Sequence, residues 1–199
     1  MSLPRPVRAA AGILEFLETK GRPACVIGGI VVSRWGEPRA TTDVDLAVLA
    51  ELGDEQNVLA ELLSTYPSRE PNPEAFASAN RITLLHLPGR IHADISLAAF
   101  PFEREVLERS TDWSLSKDLS IRTCSAEDLV IYNVAGRPGD IQDVIGIVGR
   151  QRRSLDTGAD PPLGPRVRRP ERRSRSAAAL RRRAEEGRAP RLNLAPERP

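Results

Sequence analysis

The chain has 199 residues, of which 40% are hydrophobic, 28% charged and only 4% aromatic. This length supports one domain with an aliphatic core, and no apolar run approaches the roughly 20 residues that a transmembrane helix needs. Two cysteines exclude a disulfide framework and a cysteine-rich zinc module. Glu15 and Glu18 interrupt the apolar N-terminal stretch, so we predict no secretory signal peptide, no membrane partner and a cytoplasmic protein.

The net charge of +2 conceals an uneven distribution along the chain. Residues 150–199 contain 15 Arg and 6 acidic residues, whereas residues 1–149 contain 14 basic and 21 acidic ones. The C-terminal stretch also has 7 of the 17 prolines and no aromatic residue, so it cannot bury enough apolar surface to fold. We predict a folded domain over 1–152 and a disordered basic tail over 153–199. The tail is open to three interpretations: an unstructured extension, an Arg-rich nucleic-acid arm, or the product of a shifted reading frame.

Periodicity predicts an alternation of helices and strands, and hence an α/β (α+β) domain. Helices are predicted over 6–20, 30–35, 54–66, 102–108, 125–135 and 140–149. Strands are predicted over 24–27, 43–49, 81–87, 91–97 and 119–123, with a hairpin turn at Pro88-Gly89. The polar, proline-containing stretch 67–80 predicts a loop. The last helix is predicted to turn four apolar residues inward, namely Ile141, Val144, Ile145 and Val148.

A glycine pair follows the first predicted strand directly. Gly28 and Gly29 would let backbone N–H groups approach a ligand where the next helix begins, and the helix dipole there favours a phosphate. The simpler interpretation is a tight turn, which an isolated Gly-Gly pair more often indicates. The acidic residues that come after the pair favour the phosphate-binding interpretation.

Two carboxylates follow on one face of the second predicted strand. Asp43 and Asp45 are two residues apart, so their side chains point the same way. Like charges at this spacing repel each other, whereas two carboxylates are the kind of oxygen donor that Mg²⁺ prefers. Asp94, inside an apolar strand, is a third acid that a metal or a cation would compensate. The alternatives are a solvated strand end for the pair and an outward-facing edge position for Asp94.

These motifs together resemble the nucleotidyltransferase superfamily of polymerase-beta type. More narrowly, the chain resembles small bacterial nucleotidyltransferase-like proteins related to the AbiEii-type toxins. The resemblance covers roughly residues 6–152. It rests on the glycine pair, on the pattern R-x-T-x-D-x-D-L that starts at Arg39, and on the segment EDLVIYNVAGRPGDIQDVIGI. It implies the superfamily's small mixed sheet flanked by helices.

The resemblance also implies roles for individual residues. Gly28 and Gly29 would hold a triphosphate. Asp43 and Asp45 would bind Mg²⁺, with Asp94 as a third carboxylate that helps to activate the attacking hydroxyl. The other residues expected near the nucleotide are Arg39, Arg137, Asp140 and Asp143. The implied reaction transfers a nucleoside monophosphate from an NTP to a hydroxyl of RNA, protein or a small molecule and releases pyrophosphate.

The sequence departs from the family pattern in two places. Asn133 stands about where many relatives have a Lys, and the Arg- and Pro-rich tail replaces the usual C-terminal helices. These departures favour a second hypothesis, a catalytically weak relative that binds nucleotide or an antitoxin-like partner as one half of a toxin–antitoxin-like pair. A third hypothesis is a truncated or frame-shifted product without stable activity.

Overall fold

The computed structural model of the chain describes residues 3–133, 138–151 and 154–155. Seven helices lie within these residues: Arg5–Thr19 (α1), Gly29–Trp35 (α2), Glu55–Leu63 (α3), Pro73–Asn80 (α4), Pro101–Arg109 (α5), Ala126–Asn133 (α6) and Pro138–Gln151 (α7). The six strands of the described part are Ala24–Ile27 (β1), Asp43–Leu49 (β2), Ile82–Leu87 (β3), Ile91–Ala98 (β4), Thr111–Ser116 (β5) and Leu119–Thr123 (β6).

The strands form one mixed sheet in the order β3-β4-β2-β1-β6-β5. β2 runs parallel to β4 and β1 runs parallel to β6, while the β1–β2, β3–β4 and β5–β6 pairs are antiparallel. The predicted fold class, α/β (α+β) with a small mixed sheet flanked by helices, is therefore confirmed. β1 and β2 lie at the centre, so the motifs that follow β1 and begin β2 meet at one end of the sheet.

Aliphatic side chains fill the core, as the low aromatic content predicts. α1 presents Ala10, Ile13 and Leu17 to the sheet, and this spacing places them on one helical face. β1 is buried from Cys25 to Ile27 because helices and neighbouring strands surround it. This packing holds the end of β1 at a fixed position, which matters for the glycine pair directly after it.

Two elements of the described structure differ from the predictions. The stretch predicted as a loop contains α4, because the Asn72 side chain accepts a hydrogen bond from the Ala75 amide and Pro73 occupies the first turn. Ala77 is the residue through which this helix enters the core. The strand β5 was not predicted, although its sequence alternates and it pairs with β6.

The predicted inward face of the last helix is wrong at three of its four residues, while the fourth, Val144, is half-buried. Ile141, Ile145 and Val148 are 56%, 59% and 44% exposed, and these residues form one stripe of α7. The buried residues of this helix are instead Ile147 and Asp143. α7 turns this side inward because Asp143 pairs with an arginine and Ile147 packs into the core, which leaves the apolar stripe exposed.

The predicted domain boundary, between residues 152 and 153, lies outside the described residues, as does the tail from residue 156 onward. Leu155 is described and packs partly buried against the core, close to the end of α7. The division into 1–152 and 153–199 remains a prediction. Within the described part of the chain, no helix is both long and apolar enough to cross a bilayer.

Candidate functional site

The sheet register gathers the three predicted carboxylates on one face. Asp43 and Asp45 lie two residues apart on β2, and Asp94 on β4 is the direct partner of Asp45. Directly paired residues of neighbouring strands project to the same side of a sheet. All three acids therefore belong to one side of the sheet, at the end where β2 begins.

The backbone at Gly28 lies against one of these carboxylates. Gly28 has a φ of 68°, and a Cβ added there would collide with the Asp45 carboxylate, with its Cγ only 2.8 Å away. Only glycine both accepts this φ without strain and leaves room for so close a neighbour. The turn from β1 into α2 is thus held directly beside the acidic strand.

The second glycine faces a different pair of side chains. A Cβ on Gly29 would lie 2.9 Å from the Thr41 hydroxyl oxygen and 3.6 Å from Nη2 of Arg39. The segment that leads into β2 therefore lies over the glycine turn. Gly28, Gly29, Arg39 and Asp45, which the sequence predicts at one site, lie close together.

Arg39 is fixed by an acid from the far end of the domain's sequence. Its Nε and Nη2 donate hydrogen bonds of 2.9 and 2.8 Å to the two carboxylate oxygens of Asp143 on α7. This bidentate bond raises the pKa of the Arg39 guanidinium, and the charges of Asp140 and Asp45 raise it further. Asp143 is nearly buried while Arg39 is 48% exposed, so the acid positions an arginine whose remaining surface faces solvent beside the glycines.

Asp94 has a cationic partner that the sequence does not predict. Nη1 of Arg69 lies 2.6 Å from Oδ1 of Asp94, and the two side chains are only 17% and 21% exposed. The Arg69 amide donates to the Leu84 carbonyl, which ties the segment before α4 to the edge of β3. The only local sequence signal for this ion pair is an arginine in a polar stretch. Which acid this arginine reaches depends on the register of two strands that lie further along the chain.

The remaining predicted residues have different outcomes. Arg137 lies outside the described residues, and Asp140 is in the first turn of α7, near Arg39. Asn133, which by the family resemblance stands in place of a Lys, has a buried amide nitrogen without a hydrogen-bond partner among the described residues. In the same part of the chain, no three His, Cys, Asp or Glu side chains are arranged to hold a metal ion together. The metal and nucleotide roles of these residues stay predictions.

Comparison with known proteins identifies the fold. No protein-family model matches the chain, and no curated protein matches it in sequence. The crystal structure of an antigenic nucleotidyltransferase-like protein from Paracoccidioides brasiliensis aligns with a TM-score of 0.50 at 16% identity, over 72% of this chain and 76% of that one. The chain has a nucleotidyltransferase-like fold.

Two further solved structures also align, at lower scores. The lincosamide antibiotic adenylyltransferase LnuA, in its lincomycin-bound structure, gives a TM-score of 0.47 at 15% identity over 70% of this chain and 94% of that one. The antibiotic-resistance factor ANT(2″)-Ia gives a TM-score of 0.49 at 17% identity over 90% of this chain and 94% of that one. The comparisons leave the narrower resemblance to AbiEii-type toxins as a prediction.

Proposed function

We propose that this chain is a Mg²⁺-dependent nucleotidyltransferase that transfers a nucleoside monophosphate from an NTP to a hydroxyl acceptor. The observation that carries the proposal is the contact between the Gly28 backbone and the Asp45 carboxylate at the end of β1. A triphosphate on the glycine turn would lie beside the carboxylates of β2. Many turns have a positive φ, but a turn does not require a carboxylate packed against its backbone, so the close approach of Asp45 is the part that supports a site.

The donor set fits Mg²⁺. Asp43 and Asp45 offer carboxylate oxygens on one face, and the adjacent Gly28, which has no Cβ, lets the backbone lie close to the Asp45 carboxylate. Mg²⁺ binds proteins through one or two carboxylates and completes its shell with water and substrate phosphates. When bound, the ion would neutralise phosphate charge during the transfer.

The protein's own groups would orient the substrate and move one proton. Arg39, held by Asp143, would direct its exposed side toward the phosphates. The acceptor oxygen would form a bond to the α-phosphorus as the bond from that phosphorus to the bridging oxygen breaks, which releases pyrophosphate. The hydroxyl proton would pass to Asp94 after Arg69 has moved from that carboxylate.

A binding experiment tests the proposal. The double variant Asp43→Asn, Asp45→Asn should lose Mg²⁺-dependent ATP binding in equilibrium dialysis, because both predicted metal ligands lose their charge while the side-chain shape is kept. Its melting temperature should stay the same or rise, because the repulsion between the two acids is gone. Asp118→Asn, which neutralises an exposed acid between β5 and β6, is the matched control and should bind ATP as the unmodified chain does. If the double variant bound Mg²⁺ and ATP with unchanged affinity, the proposed role of both acids would be wrong.

A second candidate is a catalytically weak nucleotide-binding relative that acts with an antitoxin-like partner. The Arg69–Asp94 ion pair favours it, because the predicted third carboxylate is engaged by a cation of the same chain. The absence of a Lys at Asn133 favours it too. Arg69→Ala separates the two candidates.

If the chain is an enzyme whose Asp94 is blocked by Arg69, Arg69→Ala should bind more Mn²⁺ per chain than the unmodified protein. Electron paramagnetic resonance of free Mn²⁺ measures this binding. In a relative that has lost the metal site, neither protein should bind Mn²⁺ above the level of the double Asp variant. Arg90→Ala, at the tip of the β3–β4 hairpin, removes an arginine of the same neighbourhood and serves as the control.

A further inference from the structure

The two histidines of the chain form a cross-strand pair next to the carboxylates of the proposed nucleotide site. His86 on β3 and His92 on β4 are directly opposite each other, and both side chains are exposed. They are the only histidines in the 199-residue sequence. The hairpin turn between them is held by positive φ angles at Gly89 and Arg90 and by a hydrogen bond from Arg5 to the Gly89 carbonyl. The pair therefore sits on a backbone of fixed register.

The hydrogen-bond pattern brings the two imidazoles together. The His86 amide donates to the Pro67 carbonyl at 2.8 Å, on the side away from β4. In an antiparallel ladder the amide and carbonyl of one residue point the same way, so His86 and His92 form a non-hydrogen-bonded pair. The Cα atoms of such pairs are about 4.5 Å apart and their side chains are closer than in the alternating pairs.

The ring geometry matches that of two ligands on one ion. A metal 2.0–2.1 Å from one nitrogen of each ring, at a tetrahedral angle, puts the two ring centroids about 5 Å apart. The centroids of His86 and His92 are 5.4 Å apart, and the ring planes are inclined by 66°. The separation of the two rings is therefore compatible with chelation of one ion. We propose that His86 and His92 bind one first-row transition-metal ion of the Zn²⁺ type, with water in the remaining positions.

The ligand chemistry separates this site from the carboxylate site. Imidazole suits Zn²⁺, Cu²⁺ and Ni²⁺, whereas carboxylate and water suit Mg²⁺. His92 is the direct neighbour of Asp43 on β2, so His86, His92 and Asp43 stand side by side on three adjacent strands. The two cysteines do not compete, since both are buried and burial raises the pKa of the Cys25 thiol to about 12. The inference stands independently of the proposed transferase activity.

The experiment is a calorimetric titration of untagged full-length protein with ZnCl₂, in buffer that contains millimolar MgCl₂. The unmodified chain should bind one Zn²⁺. His86→Ala and His92→Ala should each weaken binding at least about tenfold, since even the partners around a metal's ligands contribute 10–100-fold to affinity. The double variant Asp43→Asn, Asp45→Asn should keep the Zn²⁺ affinity within about threefold, while it loses Mg²⁺-dependent ATP binding.

Three outcomes overturn the proposal. Absence of Zn²⁺ binding at micromolar concentrations would show that the pair is not a site. Unchanged affinity in both histidine variants would place the ion elsewhere. A loss in the double Asp variant as large as in the histidine variants would assign the ion to the carboxylates. Failure of ATP binding alone would contradict the proposed function and leave the histidine site supported.

Discussion

The two ends of the central strand β2 treat their acidic residues differently. At the end where β2 finishes, which we term the arginine end, each ion pair joins an acid to an arginine of another element. The pairs are Arg22–Asp54, Arg22–Glu61, Arg81–Glu55 and Arg104–Glu51. At the end where β2 begins, the glycine end, Asp94 and Asp143 are also paired with arginines. Asp43, in contrast, has no ion pair among the described residues, and its carboxylate accepts a hydrogen bond from the Thr42 hydroxyl.

The acids paired with Arg22 link separate elements of the fold, whereas Asp43 makes no such link within the described part of the chain. Arg22 joins the start of β1 to α3 through two carboxylates, so its contacts are tertiary links. Asp43 and Asp45 project to one side of one strand, where their charges repel each other. A ligand with positive charge would relieve this repulsion, and the contact of Gly28 with Asp45 keeps the backbone beside it. The glycine end is therefore the functional end in our account.

The largest expected effect compares the glycines at the two ends of β1. Gly21 and Gly28 have nearly the same φ, 67° and 68°, but a Cβ would meet open space at Gly21 and the Asp45 side chain at Gly28. Gly21→Ala should cost about 1–2 kcal/mol of unfolding free energy, the penalty for left-handed backbone in a residue with a Cβ. Gly28→Ala should cost about 1–3 kcal/mol more, since the ψ of Gly28 is −145°, close to a region that essentially only glycine occupies, and the added carbon also overpacks the site. Urea denaturation measures both, and equal costs would show that the approach to Asp45 is not tight.

A smaller effect compares the acids of the two ends. Arg22→Ala should lower the melting temperature at pH 7 by a few degrees, because Glu61 and Asp54 lose their shared partner. Asp43→Asn should leave it unchanged or raise it. Thermal melts followed by circular dichroism give both values, and a drop in Asp43→Asn as large as in Arg22→Ala would remove the distinction between the two ends.

The effect of Arg22 should also depend on pH in a defined direction. The hydrogen bond from Arg22 holds the pKa of Glu61 below its usual value. A depressed carboxyl pKa adds stability that is complete above the unfolded-state pKa, about 4.3 for Glu, and is lost as the pH falls through the folded-state pKa. The difference between the unmodified chain and Arg22→Ala should therefore shrink below about pH 4. A difference that stays constant down to pH 2 would mean that Arg22 acts through packing rather than charge.

The sequence predicts the glycine end well because its signals are local. Alternation predicts β2 together with the shared face of Asp43 and Asp45, and the strand before Gly28 is a short apolar run. The resemblance to the nucleotidyltransferase superfamily, which implied the fold, rests on the same residues. Most of the strands and helices are also predicted within a few residues, since each depends on its own pattern.

The errors arise where a long-range contact overrides the local pattern. Asn72 and Pro73 begin α4 in a stretch whose overall polarity suggests a loop. In α7 the apolar stripe is exposed because Asp143 turns inward to reach Arg39, 104 residues earlier. Predicting the contact of Arg69 with Asp94 requires two registers. One is that of β3 against β4, and the other is that of β3 against the segment that contains Arg69. No single-strand pattern contains that information.

The most direct test of the central claim is a crystal structure of the full chain grown with MnCl₂ and a non-hydrolysable ATP analogue. Mn²⁺ substitutes for Mg²⁺ at oxygen ligands and is located by its anomalous scattering. Our account predicts an anomalous peak bound by Asp43 and Asp45, with the triphosphate against Gly28 and Gly29. Nucleotide bound at the arginine end, or a triphosphate on the glycine turn without metal at either Asp, would contradict it.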